Sequence, residues 1–356
     1  ARESQPVPWK GQHHMSRERP LRIGFFSYLQ GNDPAPLLYE RTIEHFVTAD
    51  RLGFDTAWVA QHHFGHHGGL PSPLVFFAAL AERTSSIGLG TAIVALPQEN
   101  VYRVAEDAAI LETLYPGRLQ LGVGTGFSSE AVLAMFGRST NRREAYDGAI
   151  GQLIQALEGG ALNDSGDALF PPAPALRQRL WEPPASEERV AEAARRGSGL
   201  LLSRVAIGGS PHQTHPIQRR LVDRYYAELP AGVEPRIGMS RTVYPARDPR
   251  VADRNLREGL AASEVELVKQ GRNAVGLPVD ELLSHYNIHY GSVDSVIESL
   301  LQEPLIDEVT DLICQVQPGL PSHEQILETI ELIAREVAPA LGWEPSNLAV
   351  AGSASR

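Results

Sequence analysis

Short runs of apolar and β-branched residues recur along the chain, separated by stretches whose apolar residues return every three or four positions. Such short runs, bounded by turn-forming residues, predict buried strands, whereas the longer spaced stretches predict amphipathic helices. Eight strands are predicted on this basis, at residues 22–28, 56–64, 87–96, 119–123, 179–183, 200–206, 236–246 and 311–317.

Helices are predicted between the strands, which gives a repeated β-α order. Their ranges are 39–52, 74–82, 101–114, 142–157, 187–196, 219–229, 293–301 and 324–341, with 250–290 mainly helical. Eight strands, each followed by helix, fit a TIM (β/α)8 barrel, an α/β fold with a closed parallel sheet. An open doubly wound sheet would show the same alternation, and periodicity alone does not separate the two.

The barrel is expected over residues 21–345, with an insertion between strands seven and eight and a loop-rich region at 206–290. Residues 1–20 are polar, contain prolines and lack periodicity, so we expect a disordered arm there and a flexible tail at 346–356. The arm lacks the apolar centre of a signal peptide, and no stretch reaches the roughly 18 apolar residues of a membrane span. We therefore expect a cytoplasmic protein.

Composition narrows the class of partner. With 42% hydrophobic and 21% charged residues, the 356-residue chain has the balance of a globular protein. Its net charge of −11 opposes binding to nucleic acid or to anionic lipid, so neither is expected as a partner. A single cysteine, Cys314, excludes an internal disulfide and a thiolate metal cluster. Its apolar setting predicts a buried thiol that packs as a small hydrophobe.

Four histidines crowd the end of the second predicted strand, at His62, His63, His66 and His67. This position matters because the active sites of TIM barrels lie at the carboxyl ends of the strands. Neighbours on a strand point to opposite faces, and the run contains no Cys, Asp or Glu that would complete a ligand set. We therefore expect no metal. One of the first two histidines is expected to face the cavity as a hydrogen-bond donor or general acid/base.

Glycine-containing segments lie within the third predicted strand and at the end of the fourth. The small residues of 88–97 (GLGTAIVALP) would let a flat ligand approach the backbone, or they simply form a core strand. Residues 122–127 (GVGTGF) lack the third glycine of a dinucleotide fingerprint and fit a tight β-α turn equally well. After strand five, Ser186 and Arg189 at a helix start form a candidate phosphate seat, although helix capping alone explains this pattern.

Three segments taken together resemble the bacterial-luciferase-like flavin-dependent monooxygenases in order and spacing: GFDTAWVAQHHF, GLGTAIVALPQENVYRVAEDAAILETLYPGRLQLGVGTGF and MFGRSTNRREAYDGAIGQLI. The resemblance covers residues 21–160 closely and later segments more loosely. It implies a TIM barrel, reduced FMN as the working flavin and O2 as the oxidant. It also implies a partner flavin reductase that supplies the reduced flavin, and a homodimer.

The resemblance assigns roles near the flavin ring. His62 matches the family's strand-two histidine, which acts as an acid/base near the flavin, and Gln61 stands where luciferases have glutamate. Ala92 and Ile93 match a position where the family often has a non-prolyl cis peptide under the ring.

The resemblance also assigns residues that would bind the flavin phosphate. Thr125, followed by Gly126, stands where luciferase carries a phosphate-binding arginine, and Gly124 replaces a reactive cysteine that the family does not require. Ser186 and Arg189 match two phosphate positions after strand five, so Arg189 would supply the charge that Thr125 does not.

Water must be kept out of such a flavin site. Phe25, Phe26, Val94 and Leu96 are expected to line it with apolar atoms, or alternatively to pack in the core, and Tyr28 to offer a polar contact.

A second group of residues is assigned by position. His285, Tyr286 and His289, just before the turn at 291, are expected at the substrate mouth. Arg204 and Arg241 close strands six and seven. Arg204 is expected to contact the cofactor and Arg241 an anionic substrate, although surface ion pairs explain both equally well.

The expected function is thus an FMN-dependent monooxygenase that oxygenates a small organic substrate. One alternative is an oxidoreductase of the same superfamily that uses the deazaflavin F420, whose polyanionic tail calls for a more basic mouth than an acidic chain suggests. A second alternative is a flavin-binding protein without catalysis, and the presence of His62 argues against it.

Overall fold

The structure is a computed structural model that describes residues 20–31, 33–64, 68–126, 130–138, 141–206, 213–269 and 275–345. Apart from Pro20, the predicted arm and tail lie outside these residues. The described strands are β1 Arg22–Ser27, β2 Thr56–Val59, β3 Gly88–Thr91, β4 Val94–Ala95, β5 Leu119–Gly124, β6 Leu180–Glu182, β7 Gly199–Leu202, β8 Ile237–Pro245, β9 Ile288–Gly291 and β10 Asp311–Gln315.

Helices surround these strands. They are α1 Ala35–Arg51, α2 Pro73–Ala81, α3 Val101–Leu114, α4 Glu130–Met135, α5 Arg142–Leu157, α6 Glu187–Arg195, α7 Thr214–Glu228, α8 Pro249–Lys269, α9 Val279–His285, α10 Val293–Leu301, α11 His323–Leu332 and α12 Ala338–Ala340. Short 3-10 turns lie at Leu96–Gln98 and Pro174–Arg179, and a π-turn at Ile333–Val337 joins the last two helices.

Eight of the strands close into a parallel barrel. Their order is β10, β1, β2, β3, β5, β6, β7 and β8, and β8 pairs with β10 to complete the circle. The register places Gly24 opposite Thr56 and Asp311 opposite Gly238. Closure pairs each of these strands on both sides, which an open doubly wound sheet cannot do. The predicted TIM barrel is confirmed.

Two differences from the predicted elements each add a strand. The strand predicted at 87–96 is divided into β3 and β4, with Ala92 and Ile93 between them. The region 250–290, predicted as mainly helical, contains α8 and α9 but ends in the strand β9. This strand forms because β8 is long: its pairing with β10 ends at Thr242, and β9 pairs with the backbone that follows, up to Pro245 opposite Gly291.

Successive strand residues face alternately the interior and the helices, which separates two apolar layers. In β1, Phe25 packs edge-on against Phe46 and Phe54 in the outer layer, with ring centroids 6.3 Å away in both cases. Its neighbour Phe26 belongs to the interior cluster instead. There Trp58 and Trp181 meet edge to face, with ring centroids 5.6 Å apart.

The two tryptophans fill the barrel because the neighbouring strand carries glycine at the paired position, Gly90 beside Trp58 and Gly199 beside Trp181. A Cβ added at Gly90 would lie 2.4 Å from Trp58 Cε3, and one added at Gly199 would lie 2.4 Å from Trp181 Cε3. Trp181 also donates its indole N–H to Gln120 at 2.9 Å. The rings therefore form a packed floor, and space for a ligand lies toward the carboxyl ends of the strands.

A histidine pair joins α1 to α11 in the outer layer. His45 Nε2 lies 3.0 Å from His323 Nδ1, so one ring donates and the other accepts, and His323 Nε2 faces Glu44 at 3.1 Å. His45 is almost fully buried. Burial, together with the electrostatic influence of the neighbouring His323 and Arg41, lowers the pKa of His45 to about 3.

We expect this pair to make the fold acid-sensitive. Between pH 6.5 and about 3 the unfolded chain binds a proton at His45 that the folded chain does not, so stability falls as pH falls through that window. The loss is about 1.4 kcal/mol per pH unit. The variant His45→Gln should reduce the drop in unfolding free energy between pH 6.5 and 4.5 by ~2–3 kcal/mol. Urea titrations at both pH values test this, and an unchanged drop would contradict it.

Candidate active site

The loop after β2 holds His62 at the carboxyl face of the barrel. The backbone N–H of His62 donates to the Leu70 carbonyl at 2.9 Å, and the N–H of Gly69 donates to the Leu29 carbonyl at 3.0 Å. Tyr39 also donates to the Gly69 carbonyl. These bonds bring the ends of β1 and β2 together, so the ring centroids of His62 and Tyr28 lie 5.7 Å apart.

Gly68 fixes the position of the His62 ring, although it was not among the predicted site residues. A Cβ at Gly68 would lie 2.5 Å from His62 Nδ1, and the φ angle there is +100°. Only glycine satisfies both the close approach and the left-handed backbone. A glycine a few residues after a candidate catalytic residue is the signal that would have identified it.

Gln61 connects this loop to the segment after β3. Its side-chain oxygen accepts from the Ala95 N–H at 2.8 Å, and its amide nitrogen donates to the Pro71 carbonyl at 3.0 Å and to Glu99 Oε1 at 2.5 Å. A glutamate here would have no donor and would place a second carboxylate beside Glu99. The amide of Gln61 can therefore make all three of these hydrogen bonds, whereas the glutamate that luciferases have at this position could not.

Apolar atoms line the interior above the tryptophan floor. The peptide bond between Ala92 and Ile93 is cis, and both side chains pack on the interior cluster with Tyr28. Gly124 on β5 lies close by, since a Cβ there would be 3.2 Å from Ile93 Cδ1. The remaining members of this cluster are Phe26, Trp58, Ala60, Trp181, Leu201 and Ile313.

Three predicted lining residues face the other way. Phe25, Val94 and Leu96 all belong to the core between the barrel and its helices, which is the packing alternative. Strand alternation explains the correction for Phe25, because Phe26 occupies the interior. Phe26 is the only one of the four predicted apolar residues that the described structure brings to the interior cluster.

His63 points away from His62 and into an aromatic contact. Its ring centroid is 4.8 Å from that of Phe136, and Phe64 stacks on the same Phe136 ring at 5.6 Å. Burial lowers the pKa of His63, although the Glu99 carboxylate opposes the shift. The described residues contain no cluster of His, Cys, Asp or Glu suited to a metal ion. His66 and His67 lie outside the described residues.

The candidate phosphate seat is a capped helix start beside a cavity. Ser186 caps α6 by accepting from the Arg189 N–H at 3.3 Å. The Arg189 guanidinium is held by two carboxylates: Nη2 donates to Asp147 at 2.8 Å and Nη1 donates to Glu192 at 2.8 Å. These partners, above all Asp147, raise the pKa of Arg189. The Arg189 guanidinium is thus already paired with two carboxylates of the protein itself.

A cavity of about 430 Å³ opens next to Ser186, between α6 and α7. Its polar lining includes Glu187, Glu188, Ser203 and Arg220, and Arg220 Nε lies 3.3 Å from Glu187 Oε1. The rim of this cavity therefore combines one arginine with two glutamates.

The turn after β5 lies on the same face. Thr125 and Gly126 are both partly exposed, and Gly126 has a φ angle of +66°. Arg142 at the start of α5 donates to the Gly126 carbonyl at 3.0 Å. The structure thus places an arginine beside the turn where the sequence pattern has Thr125, and this contact was not predicted.

Arg204, two residues after β7, contacts Tyr286, which lies between α9 and β9. The guanidinium carbon lies 5.4 Å from the Tyr286 ring centroid, and Nη1 donates to the Gln317 carbonyl at 2.9 Å. His285 is buried beside Tyr286, with ring centroids 4.8 Å apart. Of the residues predicted at the mouth, Tyr286 contacts Arg204 directly, and His285 packs against Tyr286.

Arg241 and His289 lie behind the barrel wall rather than at the mouth. Arg241 is 0% exposed and pairs with Glu303, with Nε 3.0 Å from Oε2 and Nη2 3.1 Å from Oε1. His289 Nε2 is 3.5 Å from Glu303 Oε2 and its Nδ1 is 2.7 Å from Ser299 Oγ. Both residues are therefore corrected to a buried polar cluster, because they occupy outward-facing positions of β8 and β9.

Cys314 is buried on β10, and burial raises the pKa of its thiol above the ordinary value. The predicted packing role is confirmed. In the part of the chain that the structure describes, no helix combines the length and apolar character needed to cross a membrane.

A closed parallel barrel with His62 and Tyr28 at the carboxyl ends of its first two strands defines the class of TIM-barrel enzymes. The chain belongs to the luciferase-like monooxygenase family, whose match spans residues 23–300. Members of this family are flavin-dependent oxidoreductases, so the predicted enzyme class is confirmed.

Two relatives illustrate the sequence similarity. The uncharacterized protein y4vJ of Sinorhizobium fredii is 26% identical over 322 residues, which is 84% of this chain and 91% of that protein. The 4-hydroxyprotoasukamycin monooxygenase of Streptomyces nodosus subsp. asukaensis is 34% identical over 228 residues, which is 62% of this chain and 55% of that protein.

Solved structures share the fold at low identity. Monooxygenase RslO1 from Streptomyces bottropensis has a TM-score of 0.75 at 22% identity, over 90% of this chain and 99% of that chain. The oxygenating constituent of 3,6-diketocamphane monooxygenase from Pseudomonas putida, in complex with FMN, has a TM-score of 0.71 at 19% identity, over 90% and 98%. A coenzyme F420 dependent tetrahydromethanopterin reductase from Methanopyrus kandleri has a TM-score of 0.66 at 17% identity, over 90% and 99%.

Proposed function

We propose that the chain is an FMN-dependent monooxygenase that uses reduced FMN and O2 to oxygenate a small organic substrate. A separate flavin reductase would supply the reduced flavin. The observation that carries the proposal concerns the barrel interior above the two tryptophans, which we call the upper interior. It has a polar side and an apolar side, because His62 and Tyr28 lie beside the apolar side chains of Phe26 and Ile93. An isoalloxazine ring needs both surfaces, since it is flat, largely apolar over its faces and polar at one edge.

The residues present fit the flavin ring. Ile93 and Ala92 offer an apolar surface, and the tryptophan floor blocks deeper entry. Gly124 keeps the neighbouring strand β5 free of a side chain at the level of Ile93. Bound reduced FMN would supply the electrons that activate O2.

The protein's own part is to keep water out and to hold a proton. Phe26 and Ile93 exclude water from the interior, which strengthens every polar contact made there. His62, whose backbone and ring are fixed by Leu70 and Gly68, would hold or release a proton at its imidazole beside the reacting atoms. Tyr28 would help to orient the ring from the neighbouring strand.

The cavity beside Ser186 supports FMN over F420. The first residues of α6 line a space of about 430 Å³, where the start of a helix favours an anion, and Arg220 adds positive charge. The acidic side chains of Glu187 and Glu188 on the same rim would repel the longer polyanionic tail of F420. For Arg189 to contact the phosphate, it would have to exchange Asp147 or Glu192 for that ligand.

An anaerobic titration tests the cofactor. We expect reduced FMN to bind at least tenfold more tightly than F420, which corresponds to about 1.4 kcal/mol of binding free energy. We also expect FMN to bind more tightly than riboflavin, because only FMN carries the phosphate. Fluorescence quenching and calorimetry measure both ratios. Binding of F420 with equal or greater affinity would refute the proposal in favour of a hydride-transferring oxidoreductase.

We also propose a homodimer. Its support is a set of exposed apolar side chains on the neighbouring helices α2 and α3, namely Val75, Ile110 and Leu114, which are 68%, 47% and 61% exposed. Sedimentation equilibrium would measure the mass directly.

A further inference from the structure

Arg204 occupies a different side of the mouth from the candidate phosphate seat. It lies two residues beyond β7, and the preceding Ser203 lines the cavity next to Ser186. Arg204 instead reaches the neighbouring strands, with Nη1 2.9 Å from the Gln317 carbonyl and 3.5 Å from Thr242 Oγ1. Thr242 also donates to the Gln317 carbonyl. This places the guanidinium over the ends of β8 and β10.

The guanidinium is fixed along one edge only. Nη1 makes the contacts with Gln317 and Thr242, and the Tyr286 ring packs against the plane. The Arg204 carbonyl accepts from Asn287 Nδ2 at 2.6 Å, which anchors the backbone as well. Within the described residues, Nη2 and Nε make no hydrogen bond. These two nitrogens form the parallel pair of donors that a planar oxyanion accepts.

Arg204 also has no carboxylate partner among the described residues, although the chain carries 43 acidic and 32 basic residues. Arg189 and Arg241, by contrast, are each held by acids of the protein itself. A partly exposed and immobilised arginine that lacks such a partner presents its charge to whatever enters the mouth.

Polar groups continue the same wall toward the interior. Gln315 donates to Ser240 Oγ at 2.6 Å, whereas its side-chain oxygen and that of Gln317 are buried without a hydrogen-bond partner in the described structure. These amide oxygens are acceptors, so they would be satisfied by an N–H or O–H donor on the body of a ligand and not by its carboxylate. Leu201 on β7 belongs to the apolar interior cluster, so polar and apolar surfaces adjoin.

We infer that Arg204 binds the substrate rather than the cofactor, and that the substrate is an organic carboxylate with an apolar body. The carboxylate would pair with Nη2 and Nε of Arg204, and the apolar body would extend toward the interior cluster. This inference rests on the proposed function, because it takes the upper interior as the place where the substrate is oxygenated.

The test compares matched carboxylates and amides on the full chain, with and without FMN. The probes are benzoate against benzamide and hexanoate against hexanamide, with dissociation constants from ligand-observed NMR titration. We expect each carboxylate to bind about tenfold more tightly than its amide, as a charge-assisted paired contact implies. The variant Arg204→Gln should bring the ratio to within about twofold, and Arg204→Lys should keep part of it, since lysine retains the charge but not the paired donors.

Arg103→Gln is the matched control, because Arg103 is exposed on α3 and pairs with acids there. It should leave the carboxylate preference unchanged. Equal binding of carboxylate and amide to the parent chain would overturn the inference, as would a preference that persists in both Arg204 variants. The parent-chain measurement decides even if a variant fails to fold.

Flavin binding separates this inference from the proposed function. Arg204→Gln should leave the ratio of FMN to riboflavin affinity unchanged, and a selective loss of FMN binding would show that Arg204 serves the cofactor phosphate, which overturns the inference. A chain that binds no flavin but keeps an Arg204-dependent carboxylate preference would refute only the proposed function. A chain that binds reduced FMN but shows no such preference would refute only the inference.

Discussion

Replacing His62 with alanine should abolish most product formation while leaving flavin binding nearly intact. A positioned general acid or base contributes about 10²–10⁴-fold to a rate, so kcat should fall by that amount. The apolar contacts of Phe26 and Ile93 do not involve His62, so the affinity for reduced FMN should change by less than about tenfold (~1.4 kcal/mol). Stopped-flow absorbance gives the affinity, and product analysis under O2 gives the turnover.

His63→Ala provides the matched control. It removes an imidazole from the next position, where the ring packs against Phe136 rather than Tyr28. Its oxygen-dependent turnover should stay within a few-fold of the parent enzyme. Unchanged turnover in His62→Ala, or equal losses in the two variants, would remove the catalytic role assigned to His62.

The largest stability effect is expected at Glu303. Its carboxylate, 1% exposed, pairs with the fully buried Arg241 and also meets His215 at 3.1 Å and His289 at 3.5 Å. Glu303→Ala would leave the Arg241 charge buried without its counter-charge. Such changes typically destabilise a protein by about 3–5 kcal/mol. Urea denaturation measures the loss, and Arg103→Ala on the surface should lose less than about 1 kcal/mol.

The double variant Arg241→Met with Glu303→Leu tests the physical reason. Removing both charges eliminates the unpaired ion, so most of the lost stability should return. A double variant no more stable than Glu303→Ala would show that packing, rather than charge, dominates this cluster.

The effect of Glu303 should also depend on pH. Burial by itself raises the pKa of Glu303, but hydrogen bonds from His215 and His289 and the Arg241 charge outweigh it, so the net pKa is lowered. A lowered carboxyl pKa stabilises the fold above its ordinary value of 4.5 and loses this contribution as pH falls below that value. The difference between parent and Glu303→Ala should therefore shrink in acid.

The order of strands and helices was predictable because each buried strand and each amphipathic helix has its own period. The eight barrel strands and the bounds of α3 and α5 follow from that periodicity. The face on which a strand residue lies was harder to predict where both faces are apolar. Phe25 and Phe26 are equally hydrophobic, and only the packing of α1 shows which of them faces outward.

Tertiary partners were the least predictable part of the site. Three arginines of the same chemistry end up in different environments. Arg189 pairs with two carboxylates, Arg204 has one edge of its guanidinium without a hydrogen bond in the described structure, and Arg241 is fully buried. Their differences depend on acids and carbonyls that lie far away in the chain, such as Glu303 and Gln317. No local pattern around each arginine contains that information.

The pairing of β9 with β8 has a consequence for engineering. The chain leaves the barrel wall at Ala246, whose N–H donates to the Gly291 carbonyl at 2.9 Å, so departure and return are adjacent. A segment whose two ends are neighbours can be exchanged for another sequence without moving the residues that hold its ends. Replacing residues 247–290 with the corresponding segment of a relative should therefore change the substrate specificity of the enzyme and leave the barrel strands unchanged.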